Sequence, residues 1–134
     1  ASHMATDWSK GISSATGKRL KVISLTDNVA LMTAWANDSN YNFIFKEQFL
    51  SLADTGDMAV GISGSGLSVN ILEGMETAKD RGHVAFGITG FSGGYMKDFC
   101  TDYLVVPSDD MQIIEDCHLM IGHIVMRYLR NLVA

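Results

Sequence analysis

A run of glycines and serines between residues 57 and 70 carries the residue types that bind phosphate. An apolar segment leads into Ser63, Ser65 and Ser68, and the chain after them has the pattern of a helix start. Hydroxyl groups and the unpaired N–H groups of a helix start suit a phosphate monoester. The run lacks the Gly-x-x-x-x-Gly-Lys-Ser/Thr pattern of nucleoside triphosphate enzymes, so a sugar phosphate is the favoured ligand. An ordinary glycine-rich turn between a strand and a helix is the alternative.

Histidines and carboxylates near the two ends of the chain form a second candidate group. His3 and Asp7 are four residues apart, a spacing that places both on one face of a helix. In the last helix, Glu115 and His123 are separated by about 80° around the axis and can pair across two turns. These four side chains form a zinc donor set if the two helices meet, which spacing alone does not decide. The alternative is that His118 and His123 are partly exposed or hydrogen-bonded core histidines.

The serine run and the histidine and carboxylate set lie in a chain of alternating predicted strands and helices. Strands are predicted over residues 19–25, 58–62, 83–89 and 102–106. Helices are predicted from the Asn28 cap to about residue 37, then over 41–53, 68–81 and 109–132. In the last helix, Ile113, Leu119, Ile124 and Leu129 are predicted to be buried.

This alternation favours an α/β fold with a parallel sheet covered by helices on both faces. Ligands of such sheets bind beyond the carboxyl ends of the strands. The loops predicted there are 26–28, 63–68 and 89–94.

Composition narrows the class of protein. The 134 residues are 47% apolar with 13 glycines, which predicts one globular domain over residues 1–134. A net charge of −5 with no basic cluster beyond residues 18–21 argues against nucleic-acid binding. No apolar run reaches the ~18 residues of a membrane span. Cys100 and Cys117 form no disulfide framework, so a reducing cytoplasm is the expected compartment, and neither is a strong nucleophile candidate.

Taken in order, these motifs resemble the sugar isomerase (SIS) domain, and more narrowly its phosphoheptose isomerase branch. The resemblance covers nearly the whole chain and lies in residues 26–27, 36–38, 61–70, 78–79, 89–90, 93–94, 106–108 and 115–123. It implies a three-layer sandwich with a mostly parallel central sheet. Members of the branch begin with helices and a strand that lead into an Asn-Gly-Gly-Ser loop. None of that is in this sequence, so the N-terminal part is expected to be missing.

The resemblance also reinterprets the first residues. Residues 1–4 look like a cloning scar, but the branch has a His-x-x-x-Glu helix where His3 and Asp7 stand, which favours native sequence. Asp7 is one methylene shorter than the glutamate of the family. Glu115 stands where the family has a neutral glutamine. Carboxylates at these positions favour a divalent metal site, because a carboxylate binds zinc better than an amide does. A displaced base is expected to lower the catalytic efficiency.

Carried over by position, the resemblance implies a role for each candidate residue. Phosphate binding falls to Ser63, Gly64, Ser65 and Ser68, and the remaining substrate contacts to Asp27, which faces sugar hydroxyls, and Glu115. Zinc would be bound by His3, Asp7, Glu115 and His123. Asp7 and His123 would transfer the protons.

The implied reaction interconverts D-sedoheptulose 7-phosphate and D-glycero-D-manno-heptose 7-phosphate through an enediol. The resemblance further implies a cytoplasmic homo-oligomer, a tetramer or dimer, whose sites draw on neighbouring subunits. The alternative is a non-catalytic SIS module that binds a sugar phosphate or a protein partner. Such modules lack the acid and histidine pair, so Asp7 and His123 favour the enzyme. A glucosamine-phosphate-type isomerase fits the last helix less well.

Overall fold

Three parallel strands form the sheet in the part of the chain that the structure, a computed structural model, describes: residues 1–13 and 17–133. The strands are β1 (Met58–Ser63), β2 (Val84–Gly90) and β3 (Asp102–Val106), in the order β1-β2-β3. Ser63 pairs with Thr89 in the register of β1 and β2, and Gly90 pairs with Val106 at the end of β3. The carboxyl ends of β1 and β2 therefore lie side by side, as the α/β prediction requires.

Helices connect and flank these strands. They are α1 (Ser2–Thr6), which continues as a π-helical segment (Asp7–Ile12), α2 (Val29–Asp38), α3 (Ile44–Leu52), α4 (Val69–Asp80), α5 (Met96–Phe99) and α6 (Met111–Val133). A 3-10 turn at Tyr41–Phe43 precedes α3. The side chain of Asn28 accepts a hydrogen bond from Leu31 N at 3.0 Å and caps α2, as the sequence predicts.

Both faces of the sheet are covered, which confirms the predicted α/β sandwich. A Cβ placed on Gly61 of β1 would meet Met75 of α4, and one placed on Gly90 of β2 would meet Ile114 of α6. Because Gly61 pairs with Gly87, three residues before Gly90, these contacts lie on opposite faces of the sheet. The main core lies on the α4 face and contains Phe49, Leu72, Met75, Ala78, Ala85, Met96 and Cys100.

The predicted strand over residues 19–25 is wrong. This segment has no regular secondary structure and pairs with none of the three strands. An alternating apolar pattern forms a strand only when a neighbour satisfies its backbone, and here side-chain contacts hold the segment instead. Gln48 Nε2 donates to Leu25 O at 3.0 Å, and Lys21 Nζ lies 2.9 Å from Asp54 Oδ2 and 3.4 Å from Asp57 Oδ2.

The predicted buried face of α6 is also wrong in part. Ile113, Leu119 and Ile124 are exposed, whereas Ile114, His118 and Gly122 are buried. The register of α6 on the sheet follows from Ile114 packing over Gly90, where the missing side chain leaves room. Spacing alone did not distinguish two adjacent apolar stripes of the same helix. Among the described residues, no helix is long and apolar enough to span a membrane.

Candidate active site

Two helices from opposite ends of the chain bring His3, Asp7 and His123 together. In the i,i+4 pair that spans the end of α1, Asp7 Oδ2 lies 3.3 Å from His3 Nε2. His123 Nε2 on α6 lies 3.0 Å from His3 Nε2 and 3.2 Å from Asp7 Oδ2. The Asp7 side chain is the least exposed of the three, at 26%, against 58% for His3 and 41% for His123. We call these residues the triad.

The triad has the spacing of a metal site. Its three nearest donor atoms form a triangle with sides of 3.0, 3.2 and 3.3 Å. A tetrahedral zinc ion with N and O ligands at ~2.0–2.1 Å separates its ligand atoms by ~3.3 Å. Two imidazoles and one carboxylate are also a common zinc donor set. The residues present therefore fit the zinc ion that is expected from the sequence.

Glu115 lies outside this triangle. It is exposed on α6, and the donor group found among the described residues is His3, Asp7 and His123. Eight residues separate Glu115 from His123, which is ~12 Å along the helix axis. A fourth ligand from Glu115 stays a prediction.

The serine loop follows β1 and leads into α4. Ser63 Oγ accepts the N–H of Gly66 at 3.1 Å and lies 3.0 Å from Ser68 Oγ. Ser65 Oγ accepts the N–H of Leu67 at 3.2 Å. The α4 N-cap, Ser68, makes no side-chain capping hydrogen bond. Hydroxyl donors and the first N–H groups of α4 are thus grouped at one end of β1, as an anion site requires.

A second glycine-rich turn, predicted as a ligand loop, braces the serine loop. Gly90 N donates to Gly64 O at 2.8 Å, and Tyr95 N donates to Gly66 O at 3.0 Å. Gly66 has φ +69°, and a Cβ there would stand 2.1 Å from Gly93 O. The backbones of the two turns are in direct contact, so neither turn adjusts alone.

Asp27 lies on the opposite side of the first helix from the triad. It is exposed and accepts a short hydrogen bond from Ser2 Oγ. A cleft of about 710 Å³ is lined by Asp27 and by Ala5, Thr6 and Ser9 of the first helix. His3 and Asp7 lie roughly opposite Ala5 around that helix, at about 100° per residue. Asp27 therefore faces the cleft from the side away from the triad.

Known proteins place this chain in a family. No family model matches it. It is 42% identical to the phosphoheptose isomerase of Nitratiruptor sp. over 107 residues, which are 80% of this chain and 57% of the relative. It is 37% identical to that of Campylobacter jejuni over 123 residues, which are 92% of this chain and 66% of the relative.

Two solved structures that match this chain are also phosphoheptose isomerases. A phosphoheptose isomerase from Neisseria gonorrhoeae matches with a TM-score of 0.87 and 29% identity over 98% of this chain and 69% of that one. One from Francisella tularensis matches with a TM-score of 0.90 and 30% identity, over 98% and 70% respectively. The chain belongs to the phosphoheptose isomerase family. It spans between half and two thirds of the length of the curated relatives given above.

In this phosphoheptose isomerase family member, α6 separates the triad from the serine loop. Met111 at the start of α6 lies against Gly64, and His118 donates from Nε2 to Thr89 O at 3.1 Å. His123 is twelve residues beyond Met111, ~18 Å along the axis, and is rotated ~140° from His118. Within one chain, the triad therefore points away from the sheet edge that carries the serine loop.

The two histidines of α6 have different environments. His118 is buried and hydrogen-bonded, as the core alternative predicts, whereas His123 joins the triad. The same helix contacts Thr89, whose buried Oγ1 has no hydrogen-bond partner among the described residues. Burial raises the pKa of the Cys100 thiol to about 11, which agrees with the prediction that it is not a nucleophile.

Sequence reasoning missed Trp8 and Ser2. Trp8 Nε1 donates to Gly122 O at 3.0 Å, so it connects the helix of Asp7 to the helix of His123. Ser2 bonds to the carboxylate of Asp27. Each residue is adjacent to a candidate ligand, but nothing in the sequence gives its partner, which lies far along the chain.

Proposed function

We propose that this protein interconverts D-sedoheptulose 7-phosphate and D-glycero-D-manno-heptose 7-phosphate as a cytoplasmic enzyme. The observation that carries the proposal is the triad, in which two imidazoles and a carboxylate converge within 3.0–3.3 Å. Aldose–ketose isomerisation needs a base for a carbon-bound proton and a second group for an oxygen-bound proton. Membership of the family supports this reaction over other uses of the same groups.

The protons move between Asp7, His123 and the substrate. Asp7 takes a proton from C1 of the ketose, the electron pair forms the C1–C2 double bond, and His123 protonates the C2 oxygen to give the enediol. The O1 proton then leaves to His123 as the C1 carbonyl forms, and Asp7, whose carboxyl proton exchanges with solvent while the enediol is bound, protonates C2. Histidine titrates near neutral pH, which suits its role as both acid and base.

His3, Asp7 and His123 would hold a zinc ion. Bound zinc would polarise the substrate carbonyl and stabilise negative charge on the enediol oxygens. A carboxylate that binds zinc is a weaker base, so ligation and proton transfer compete at Asp7. The same competition applies to His123, because an Nε2 atom that binds zinc cannot also accept a proton.

Ser63, Ser65 and Ser68 bind the phosphate, with the backbone of Gly64 and the N-terminus of α4. The grouped hydroxyls and the braced glycine backbone support this assignment. Asp27 would contact sugar hydroxyls, and Glu115 would approach the substrate from α6. The phosphate of the substrate then contacts the serine loop, and its reacting carbons contact the triad.

A second copy of the chain brings these parts together. An extended seven-carbon sugar phosphate is shorter than the ~18 Å of α6 between Met111 and His123. The α6 face opposite His118 exposes Ile113, Met120 and Ile124, with exposed fractions of 51–64%. This apolar stripe lies next to His123 around the helix and is suited to packing against a second copy. A homo-oligomer, a dimer or tetramer, then combines the triad of one subunit with the serine loop of another.

Turnover tests the activity. Purified protein, stripped with a chelator and then reloaded with zinc, is incubated with D-sedoheptulose 7-phosphate and followed by ³¹P and ¹H NMR. We expect D-glycero-D-manno-heptose 7-phosphate to form, and to form faster with zinc. Binding of the sugar phosphate without turnover under either condition would favour the non-catalytic module instead.

Mixing tests the shared site. At a substrate concentration well below KM, a Ser65→Ala variant is expected to lose about nine tenths of the activity or more. A His123→Asn variant is expected to lose nearly all of it. If sites are shared, unfolding and refolding the two together restores part of the activity, because some sites receive both intact parts. Activity that stays at the level of the separate variants, although mixed oligomers form, would place each complete site within one chain.

A further inference from the structure

One tryptophan joins the residues next to two members of the triad. Trp8 directly follows Asp7, and Gly122 directly precedes His123. The indole Nε1–H of Trp8 donates to the carbonyl of Gly122 at 3.0 Å, in a partly buried position. A carbonyl has two lone pairs, so Gly122 O can accept this bond in addition to its bond within α6.

The third member of the triad has a similar neighbour. Met4 directly follows His3, and its side chain packs on Gly122, where an added Cβ would stand 3.0 Å from Met4 Cε. We call α1 and its π-helical continuation the first helical unit. Two turns after Met4 in this unit, an added Cβ on Gly11 would stand 2.6 Å from Met126 Sδ. The absence of side chains at Gly11 and Gly122 lets the two helices approach closely at this point.

From these contacts we infer that Trp8 is a positioning residue, which fixes the register of the first helical unit against α6 and so sets the triad. The inference deepens the proposed function and rests on its metal site. The apolar contacts of Met4 and Met126 hold the helices together, but these unbranched side chains are flexible and adapt to a small axial offset. The indole hydrogen bond is directional and fixes the axial offset.

The triad requires such a fixed register. A shift of one residue between the helices moves a donor atom by ~1.5 Å along the axis. Metal–ligand distances tolerate only ~0.2 Å. The π-helical segment begins at Asp7, and Asp7 faces His3 across the last α-helical turn. Trp8 lies in the wider π-helical turn that follows.

The test removes the indole N–H and keeps a smaller aromatic ring. Trp8→Phe is compared with Trp35→Phe, which changes the other tryptophan of the chain, on α2. Zinc affinity is measured by titration calorimetry, and the site is examined through the visible spectrum of the Co²⁺-loaded protein. In metal-free protein, an NOE between the imidazole protons of His3 and His123 reports their contact directly.

We expect Trp8→Phe to bind zinc at least about tenfold more weakly, the size of effect typical of groups that orient ligands. Its Co²⁺ spectrum changes and the NOE is lost, while Trp35→Phe matches the parent protein. Unchanged affinity, spectrum and NOE in a folded Trp8→Phe protein would overturn the inference.

Two further outcomes are distinguishable. If the parent protein does not bind zinc but Trp8→Phe still loses the NOE, the positioning role stands and the proposed metal site falls. If Trp8→Phe fails to fold, Trp8 is replaced by its benzothienyl analogue in the Trp35→Phe background, which keeps the shape and removes only the donor. The same loss of the NOE is then expected, and its persistence would overturn the inference.

Discussion

The serine loop and the triad are built in contrasting ways. Six consecutive residues, Ser63 to Ser68, supply the loop, and backbone contacts with the second glycine-rich turn hold it. The triad joins residues 120 positions apart, and side-chain contacts between two helices hold it. In the proposed function, the local loop binds the phosphate and the long-range triad transfers protons. Damage to one part should leave the other intact, which Asp7→Asn and Ser65→Ala test. Gly66→Ala and Glu115→Gln test how each part is built.

Gly66→Ala should have the largest effect. The new Cβ would stand 2.1 Å from Gly93 O and would impose φ +69° on a residue with a side chain. Gly82→Ala is the matched control, because Gly82 has φ +81° and nothing within 4 Å. Both substitutions carry the ~1–2 kcal/mol cost of the left-handed backbone. Urea unfolding should show a further loss of ~1–3 kcal/mol in Gly66→Ala from the clash. Equal losses would show that the two turns are not locked together.

Asp7→Asn should have the second largest effect. Turnover is expected to fall by roughly 10²–10⁴-fold, because the amide cannot accept the carbon-bound proton. The affinity for sedoheptulose 7-phosphate, measured by calorimetry, should change little because the serine loop is untouched. Asp116→Asn, an exposed carboxylate on α6, is the control and should retain activity. Substantial turnover in Asp7→Asn would remove Asp7 from the chemistry.

Ser65→Ala should affect binding alone. A hydrogen bond to a charged phosphate contributes ~1.5–3 kcal/mol, which corresponds to a loss of tenfold or more in substrate affinity. Zinc affinity should not change. Ser51→Ala on α3, where the hydroxyl donates to Glu47 O, is the control. If Ser65→Ala weakened zinc binding as strongly as substrate binding, the two parts would not be independent.

Glu115→Gln should have the smallest effect. It restores the amide of the family, and Glu115 is exposed and outside the triad. Zinc affinity is therefore expected to stay within about threefold, well below the ~10–100-fold changes seen when a group that supports a metal site is lost. A loss of tenfold or more would establish Glu115 as the fourth ligand.

The two parts also differ in how far the sequence predicts them. The serine loop and the strands beside it follow from local spacing, and β3 was predicted with its observed bounds. The pairing of His3 and Asp7 on one helix was also a local inference. Their meeting with His123 depends on the close approach of two helices at Gly122, which no spacing rule encodes.

The errors have the same origin. Residues 19–25 have a strand pattern without a strand neighbour, and the apolar stripe with Ile113 and Ile124 was assigned to the core although it faces outward. In both cases the apolar pattern is real, but the partner that decides its structure lies elsewhere in space.

The isomerisation of D-sedoheptulose 7-phosphate in D₂O tests the account most directly. Proton transfer through Asp7 and an enediol allows exchange with solvent, so NMR should find deuterium at C2 of the heptose 7-phosphate that forms. Product that carries only protium at C2, at every stage of the reaction, would contradict proton transfer by the triad.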